Sequence, residues 1–327
     1  EKFFIQKRKA LWPKLVILCY HRIENYTSDP VKITVSENNF LKQINFLKEF
    51  AKIINPDQLF ESLKKRKNLP KRSVLLTFDD GYSSYERTMD LLLKESISSI
   101  FFISLRKEKY WWDILSKILF ENQYVEKSNC EKINSLLNEL GHQFKIEESI
   151  DANFMETLSK WSLTDKNFPF NRNKAFYFLS KEMEHIDHYK KSRMLDTITS
   201  LSNEKRNFSY LLKKKLIGFH KIGYHTINHF NLSKLSYGNQ KMEIELGKKK
   251  LESLINRKVE LFAYPFGNRY HYNDNTLEIV KKNFNFAFSN FEGLVHKDSN
   301  IYELPRFLIR DWDIDTYIQK VKSFFHE

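Results

Sequence analysis

Strand-like runs at positions 15–20, 52–54, 74–78, 99–103, 221–224, 259–264 and 286–289 alternate with amphipathic stretches, and this alternation limits the fold more than any other feature. Ser36 can cap a helix whose apolar face includes Phe40, Ile44 and Leu47. Pro56 suits the first turn of the next helix. Further helical patterns fall at 84–95, 239–255, 275–282 and 313–325. Strands alternating with helices predict an α/β fold with a parallel sheet and helices outside, and active side chains then belong at the carboxyl ends of strands. Residues 106–214 break the pattern with continuous helical periodicity. Trp111, Leu115, Ile118 and Leu119 would share one face of a helix starting near Tyr110. That face is expected to pack against the sheet portion, with a lipid-contacting surface as the second reading. The chain is thus divided into 1–105, a helical insertion at 106–214 that caps the site and shapes substrate access, and 215–327.

Two segments carry chemistry. Thr77-Phe78-Asp79-Asp80-Gly81 puts adjacent carboxylates where the run Ser73-Val74-Leu75-Leu76 ends. Alternation along an extended strand would aim the two acids to opposite sides, one toward a cation and one toward a proton. An isolated Asp-Asp-Gly is more often a solvated turn. The second segment, Gly223-Tyr224-His225-Thr226-Ile227-Asn228-His229, follows the strand-like Leu216-Ile217-Gly218-Phe219. A helical turn there would face both imidazoles the same way, with Cβ atoms about 6 Å apart. Two histidines and one carboxylate form the three-ligand set of a catalytic zinc-type site.

Together these residues resemble the NodB-homology polysaccharide deacetylases, carbohydrate esterase family four. Carried over position by position, the resemblance implies Asp79 as catalytic base and Asp80, His225 and His229 as metal ligands. A third family segment, Arg-x-Pro-Tyr, corresponds to Ala263-Tyr264-Pro265-Phe266, so the arginine is absent. That departure is similar to the branch of poly-N-acetylglucosamine deacetylases with permuted strand order. Leu18-Cys19-Tyr20-His21 and Leu304-Pro305-Arg306 match its other segments. The resemblance implies a deformed (β/α)7 barrel and covers residues 14–105 and 215–310. It also implies metal-dependent hydrolysis of an N-acetyl group, with Zn²⁺ or another divalent transition metal. The backbone N–H of Phe266 would stabilise the oxyanion, and Arg306 would pair with Asp79 in place of the missing arginine. His21 is favoured as general acid, with His296 in Leu294-Val295-His296 as its competitor. Asp313 or Asp311 is read as a helix N-cap rather than a site residue. His220, His271, His185 and His188 are assigned no role.

Composition bounds the rest. A chain of 327 residues, 41% hydrophobic, can bury one large core. Two distant cysteines, Cys19 and Cys130, argue against a disulfide scaffold or thiolate metal site. No run approaches the ~18 apolar residues of a membrane span. The first residues lack the long apolar core of a secretion signal, although a chain starting at Glu1 leaves a trimmed leader open. The net charge of +13 is spread along Lys-rich helices. It reads first as a solvated surface, then as attraction to anionic lipid or phosphorylated glycan, and no nucleic-acid motif accompanies it. The expected partner is an N-acetylated amino-sugar glycan or a lipid-linked sugar, with peripheral contact at a bacterial inner membrane. A lipid-linked N-acetylhexosamine destined for lipopolysaccharide is the leading substrate. The alternatives are an exported poly-N-acetylglucosamine or peptidoglycan deacetylase, and a glycan-binding pseudoenzyme.

Overall fold

The computed structural model describes residues 14–65, 69–185 and 188–325. Residues 1–13, which include most of the segment inspected for a secretion signal, lie outside the described residues, as do the side chains of His185 and His188. Two compact units are present. The first joins Glu1–Asn25, Ile33–Arg106 and Asn207–Glu327; the second joins Tyr26–Lys32 and Lys107–Arg206.

The first unit is built on strands β1 (Lys14–Tyr20), β2 (Lys52–Ile53), β3 (Arg72–Phe78), β4 (Ile100–Ile103), β5 (Lys221–Tyr224), β6 (Leu261–Ala263), β7 (Phe286–Phe288) and β8 (Phe307–Leu308). They pair in parallel in the order β8-β1-β3-β4-β5-β6-β7, with β2 against the start of β3. A bridge between Phe288 and Leu304 curls the β7 edge toward the segment that enters β8. This curled parallel sheet with helices outside is the deformed (β/α)7 barrel that the sequence implied. Its strands are apolar on both faces, as a covered parallel sheet requires. Leu15, Ile17, Leu75, Ile100, Phe102, Leu261, Phe286 and Phe288 form the interior cluster. Each such side chain contributes about 1.5–3 kcal/mol by leaving water. Since strand side chains alternate, the residues in line with Leu15 and Ile17 are Cys19 and His21, and those in line with Leu75 are Thr77 and Asp79. The interior therefore changes from apolar to polar toward the carboxyl ends of β1 and β3.

Local chemistry sets the helix boundaries. The Ser36 side chain caps Glu37–Phe50, and Phe40, Ile44 and Leu47 are buried on that helix. Asp313 caps Ile314–Phe324 by accepting the Thr316 N–H at 2.9 Å. Asp311 instead serves the Glu37–Phe50 helix, accepting from Ser36 N at 3.0 Å, Ser36 Oγ at 2.8 Å and Asn39 Nδ2 at 2.7 Å. One expected strand is a helix: Lys214–Phe219 contains the run Leu216-Ile217-Gly218-Phe219. Leu216 and Ile217 are buried, and Arg257 Nη1 donates to the Ile217 carbonyl at 2.7 Å near the helix end. A four-residue apolar run fits a buried helix as well as a strand, so periodicity could not separate them.

The second unit is helical. Its Trp111–Phe120 helix buries Trp112, Ile114, Leu115, Leu119 and Phe120, while Trp111 and Ile118 are only half-buried. Phe120 meets Phe176 and Trp161 at centroid distances of 5.3 and 5.9 Å, so the aromatic face has partners inside its own unit. Buried Arg172 donates to the carbonyls of Asn122, Gln123, Glu147 and Glu148, tying loops of this unit together. No helix among the described residues is long and apolar enough to cross a membrane.

Candidate active site

Asp79 and His225 stand just past strand ends, where ladder hydrogen bonds fix their backbones, while Arg306 directly precedes β8. Asp79 N donates to Tyr20 O at 2.9 Å, and His225 N donates to Ile103 O at 2.9 Å. Asp79 thus continues β3, while Asp80 takes a left-handed conformation with φ 81°. The two carboxylates meet different partners, and the left-handed turn at Asp80 departs from the plain extended strand end expected from the sequence. Gly81, at φ 76°, continues the turn. His225 and His229 lie on an irregular turn rather than the expected helical one, with Thr226 at φ 65° and His229 at φ 57°. Their ring centroids are still only 4.9 Å apart. Positive φ in a β-branched residue such as Thr226 is uncommon and persists only where surrounding contacts enforce it.

Asp80 Oδ1 lies 3.5 Å from His225 Nε2 and 3.3 Å from His229 Nε2, and all three side chains are buried. His225 Nδ1 is 2.7 Å from the Ala263 carbonyl. A carbonyl can only accept, so Nδ1 carries the proton, and in the neutral ring Nε2 presents its lone pair toward Asp80. Burial lowers the proton affinity of His229, and Asp80 offsets this only in part. Burial raises the Asp80 carboxyl, but the His225 and His229 contacts outweigh it and hold Asp80 well below the usual carboxylate range. One anionic oxygen facing two imidazole nitrogens at these separations fits a divalent cation with nitrogen and oxygen ligands.

Asp79 faces a different partner. Arg306, itself buried, donates from Nη1 to Asp79 Oδ1 at 2.7 Å and from Nη2 to Oδ2 at 2.6 Å. Its Nε holds the Ser289 carbonyl at 2.7 Å, and Nη1 also reaches Thr77 Oγ1 at 3.2 Å. Burial pushes the Asp79 carboxyl up, yet the Arg306 charge and hydrogen bonds prevail and leave it below the usual carboxylate range. Cys19 Sγ lies 3.6 Å from Asp79 Oδ2, and the Tyr85 hydroxyl donates to the Asp79 carbonyl. Sequence reasoning gave neither residue a place here; the register that sets Cys19 opposite Thr77 carried the signal for the first.

His21 presents a nitrogen within 4.8 Å of both Cys19 Sγ and an Asp79 oxygen. Its Nδ1 is buried and has no hydrogen-bond partner among the described residues. His296 is elsewhere. It is exposed, and its neighbour Val295 bridges Leu15 at the opposite end of β1, so geometry removes it as the competing acid. His220 is structural: its Nε2–H donates to Met89 O at 3.0 Å, Nδ1 accepts from Ser99 N at 3.3 Å, and burial lowers its pKa to about 4. His271 accepts from Asn268 N at 3.2 Å.

Phe266 stands at the site mouth with φ 61°, and its ring lies 4.8 Å from that of His229. Gly267 N donates to Pro265 O at 2.7 Å, closing a three-residue turn around Phe266. Gly267 has φ 70°, and a Cβ there would fall 2.5 Å from Asn290 Cβ and 2.6 Å from Asn290 N. No side chain fits that position, so glycine fixes the attitude of the Phe266 amide. The His271 ring lies between Phe266 and the exposed Tyr270, at 5.2 and 4.5 Å.

The curled parallel barrel thus gathers two acids, two imidazoles and an arginine in one place, and its fold is of the NodB-homology class. The family model described as polysaccharide deacetylase matches residues 66–138 and 175–284, more than half of the chain, and the protein belongs to that family. The matched residues contain Asp79, Asp80, His225, His229 and Phe266; His21 and Arg306 lie outside them. No curated protein matches the sequence. Among solved structures, the Streptococcus pyogenes deacetylase PplD in complex with acetate is 18% identical with a TM-score of 0.54, covering 94% of this chain and 97% of that one. IcaB from Ammonifex degensii is 19% identical with a TM-score of 0.54, covering 96% and 98%. The de-N-acetylase from Aggregatibacter actinomycetemcomitans is 14% identical with a TM-score of 0.55, covering 95% and 99%. At these identities the likeness establishes the fold.

Proposed function

We propose that this protein hydrolyses the N-acetyl group of an N-acetylhexosamine in a bacterial cell-surface glycan or its lipid-linked precursor. The observation that carries the reading is one compact site holding both a buried Asp80-His225-His229 cluster and an arginine-clamped Asp79. A divalent cation held by Asp80, His225 and His229, with zinc favoured, would supply Lewis-acid polarisation and acidification of water toward a pKa of about 7. Asp79, kept ionised by Arg306, takes the proton as water adds to the acetamide carbon. The Phe266 N–H donates to the oxygen where charge develops. His21 gives a proton to the nitrogen as the C–N bond breaks, so that acetate and a free amine leave. Burial lowers the affinity of His21 for that proton, while Asp80 and Asp79 raise it, and the net lies below the usual imidazole range.

The Phe266 ring lies beside the cluster and the exposed Tyr270 ring follows it across His271, offering apolar faces of the kind that recognition of a sugar ring requires. A lipid-linked amino sugar of lipopolysaccharide is the favoured substrate, with peripheral contact at the bacterial inner membrane. The basic net charge of +13 supports attraction to anionic head groups. The family description, polysaccharide deacetylase, favours a polymer as the second reading. Arg306 gives Asp79 a cationic partner despite the missing motif arginine, which weighs against a binding-only pseudoenzyme. Acetate release from N-acetylated oligosaccharides and from lipid-linked N-acetylhexosamines, with zinc supplied, tests the proposal. Release from the lipid-linked class supports it, release from polymers alone moves the substrate to the second reading, and release from neither refutes it.

A further inference from the structure

The helix that follows the histidine turn is irregular where it passes that turn. Tyr237–Lys241 and Gly247–Ile255 are α-helical, but Met242–Leu246 between them is a π-helical turn. Such widened turns accommodate one extra residue and re-aim side chains, often at functional sites. Here Glu243 is buried in a segment rich in lysine and glutamate. Its Oε2 accepts the N–H groups of Ile227 at 3.0 Å and Asn228 at 2.9 Å, and its Oε1 accepts from Asn228 Nδ2 at 2.6 Å. The Glu243 carbonyl accepts the Tyr224 hydroxyl at 2.5 Å, so the same residue grips the strand end just before His225. Close approach of helix and strand depends on Gly247, where a Cβ would fall 1.5 Å from Tyr224 Oη.

We infer that Glu243 is a positioning residue for the metal ligands, an inference that rests on the metal-centre reading above. The groups it binds belong to Ile227 and Asn228, the residues between His225 and His229. Thr226 and His229 hold left-handed conformations that a free chain would leave. Across that turn His229 N–H donates to Thr226 Oγ1 at 3.1 Å. Consecutive backbone N–H groups beside a left-handed residue form a concave anion site, and Glu243 supplies the anion from within the chain. It is not itself a ligand of the cluster formed by Asp80, His225 and His229. Its role is to hold the two imidazoles at the separation a cation requires, with Ala263 O orienting one of them.

The test is zinc affinity, measured by competition with a chromogenic chelator on the full chain. Parent protein should bind one zinc with an affinity that His229→Ala abolishes. Glu243→Ala should weaken binding by 10- to 100-fold, the range for groups that orient metal ligands. Excess zinc should then restore much of the acetate release. Glu243→Gln, which keeps an oxygen for the two N–H groups, should recover most of the affinity. Should Glu243→Ala fail to fold, Asn228→Ala removes only the 2.6 Å contact and should weaken zinc several-fold with unchanged thermal stability. Affinity within twofold of the parent in either variant overturns the inference alone. A parent that binds no zinc overturns the metal-centre reading as well.

Discussion

Replacing Arg306 by Met removes the cation of a buried pair and leaves its carboxylate behind. The guanidinium nitrogens lie 2.7 and 2.6 Å from the Asp79 oxygens. That geometry separates the charge centres by about 4 Å, an attraction of about 4 kcal/mol at an effective dielectric of about 20. One-sided removal of a buried pair costs about 3–5 kcal/mol, because the remaining ion has lost its solvent as well as its partner. Arg306→Met should therefore destabilise the chelator-treated barrel by about 3–5 kcal/mol near neutral pH. Asp79→Asn in the same background should recover part of that loss, with a coupling of about 2 kcal/mol or more. The pH dependence has a definite sign. The folded-state pKa of Asp79 is held below its unfolded value, so its stabilisation is full above the unfolded value and lost as pH falls through the folded one. The Arg306→Met variant lacks this stabilisation, so its deficit relative to the parent should shrink on acidification into that range. Hydrogen exchange at the 72–78 strand reads the barrel separately from the helical unit. Single-variant effects that add within about 0.5 kcal/mol, or a deficit independent of pH, would refute the pairing argument.

Gly267→Ala should destabilise the barrel by about 1–3 kcal/mol and lower kcat, since the added methyl meets Asn290 within 2.6 Å and must displace the Phe266 turn. Thermal unfolding and steady-state acetate release check both effects. His21→Asn should reduce kcat by about 10²–10⁴-fold, the usual worth of a general acid, with little change in zinc affinity. His296→Asn, at the far end of β1, should leave kcat unchanged. Tyr270→Ala should raise KM while sparing kcat, as expected when a ring holds a sugar in ground and transition states alike.

Much of the barrel is legible in the sequence because strands covered on both faces leave continuous apolar runs, and those runs place Asp79 and His225 at carboxyl ends. The left-handed turns are not legible. Thr226 is β-branched and seldom takes positive φ, and at Asp80, a type that takes it more readily, nothing local demands it; the assembled contacts impose both. Glu243 escaped notice for a related reason. In Lys241-Met242-Glu243-Ile244-Glu245 it looks like any exposed helical charge, and nothing local announces the π-helical turn that points it inward. The run 216–219 misled because burial, not periodicity, gives it an apolar character. Arg306 was accessible to motif comparison alone, since its partner lies 227 positions earlier and no local pattern joins them.

The most direct test of the metal centre is the zinc content of the purified protein, measured alongside acetate release before and after chelation. One zinc per chain is expected, with activity lost on chelation, restored by added zinc, and both absent in His225→Ala and Asp80→Ala. Undiminished acetate release from fully metal-free protein, or an unchanged zinc content in those two variants, would contradict the assignment.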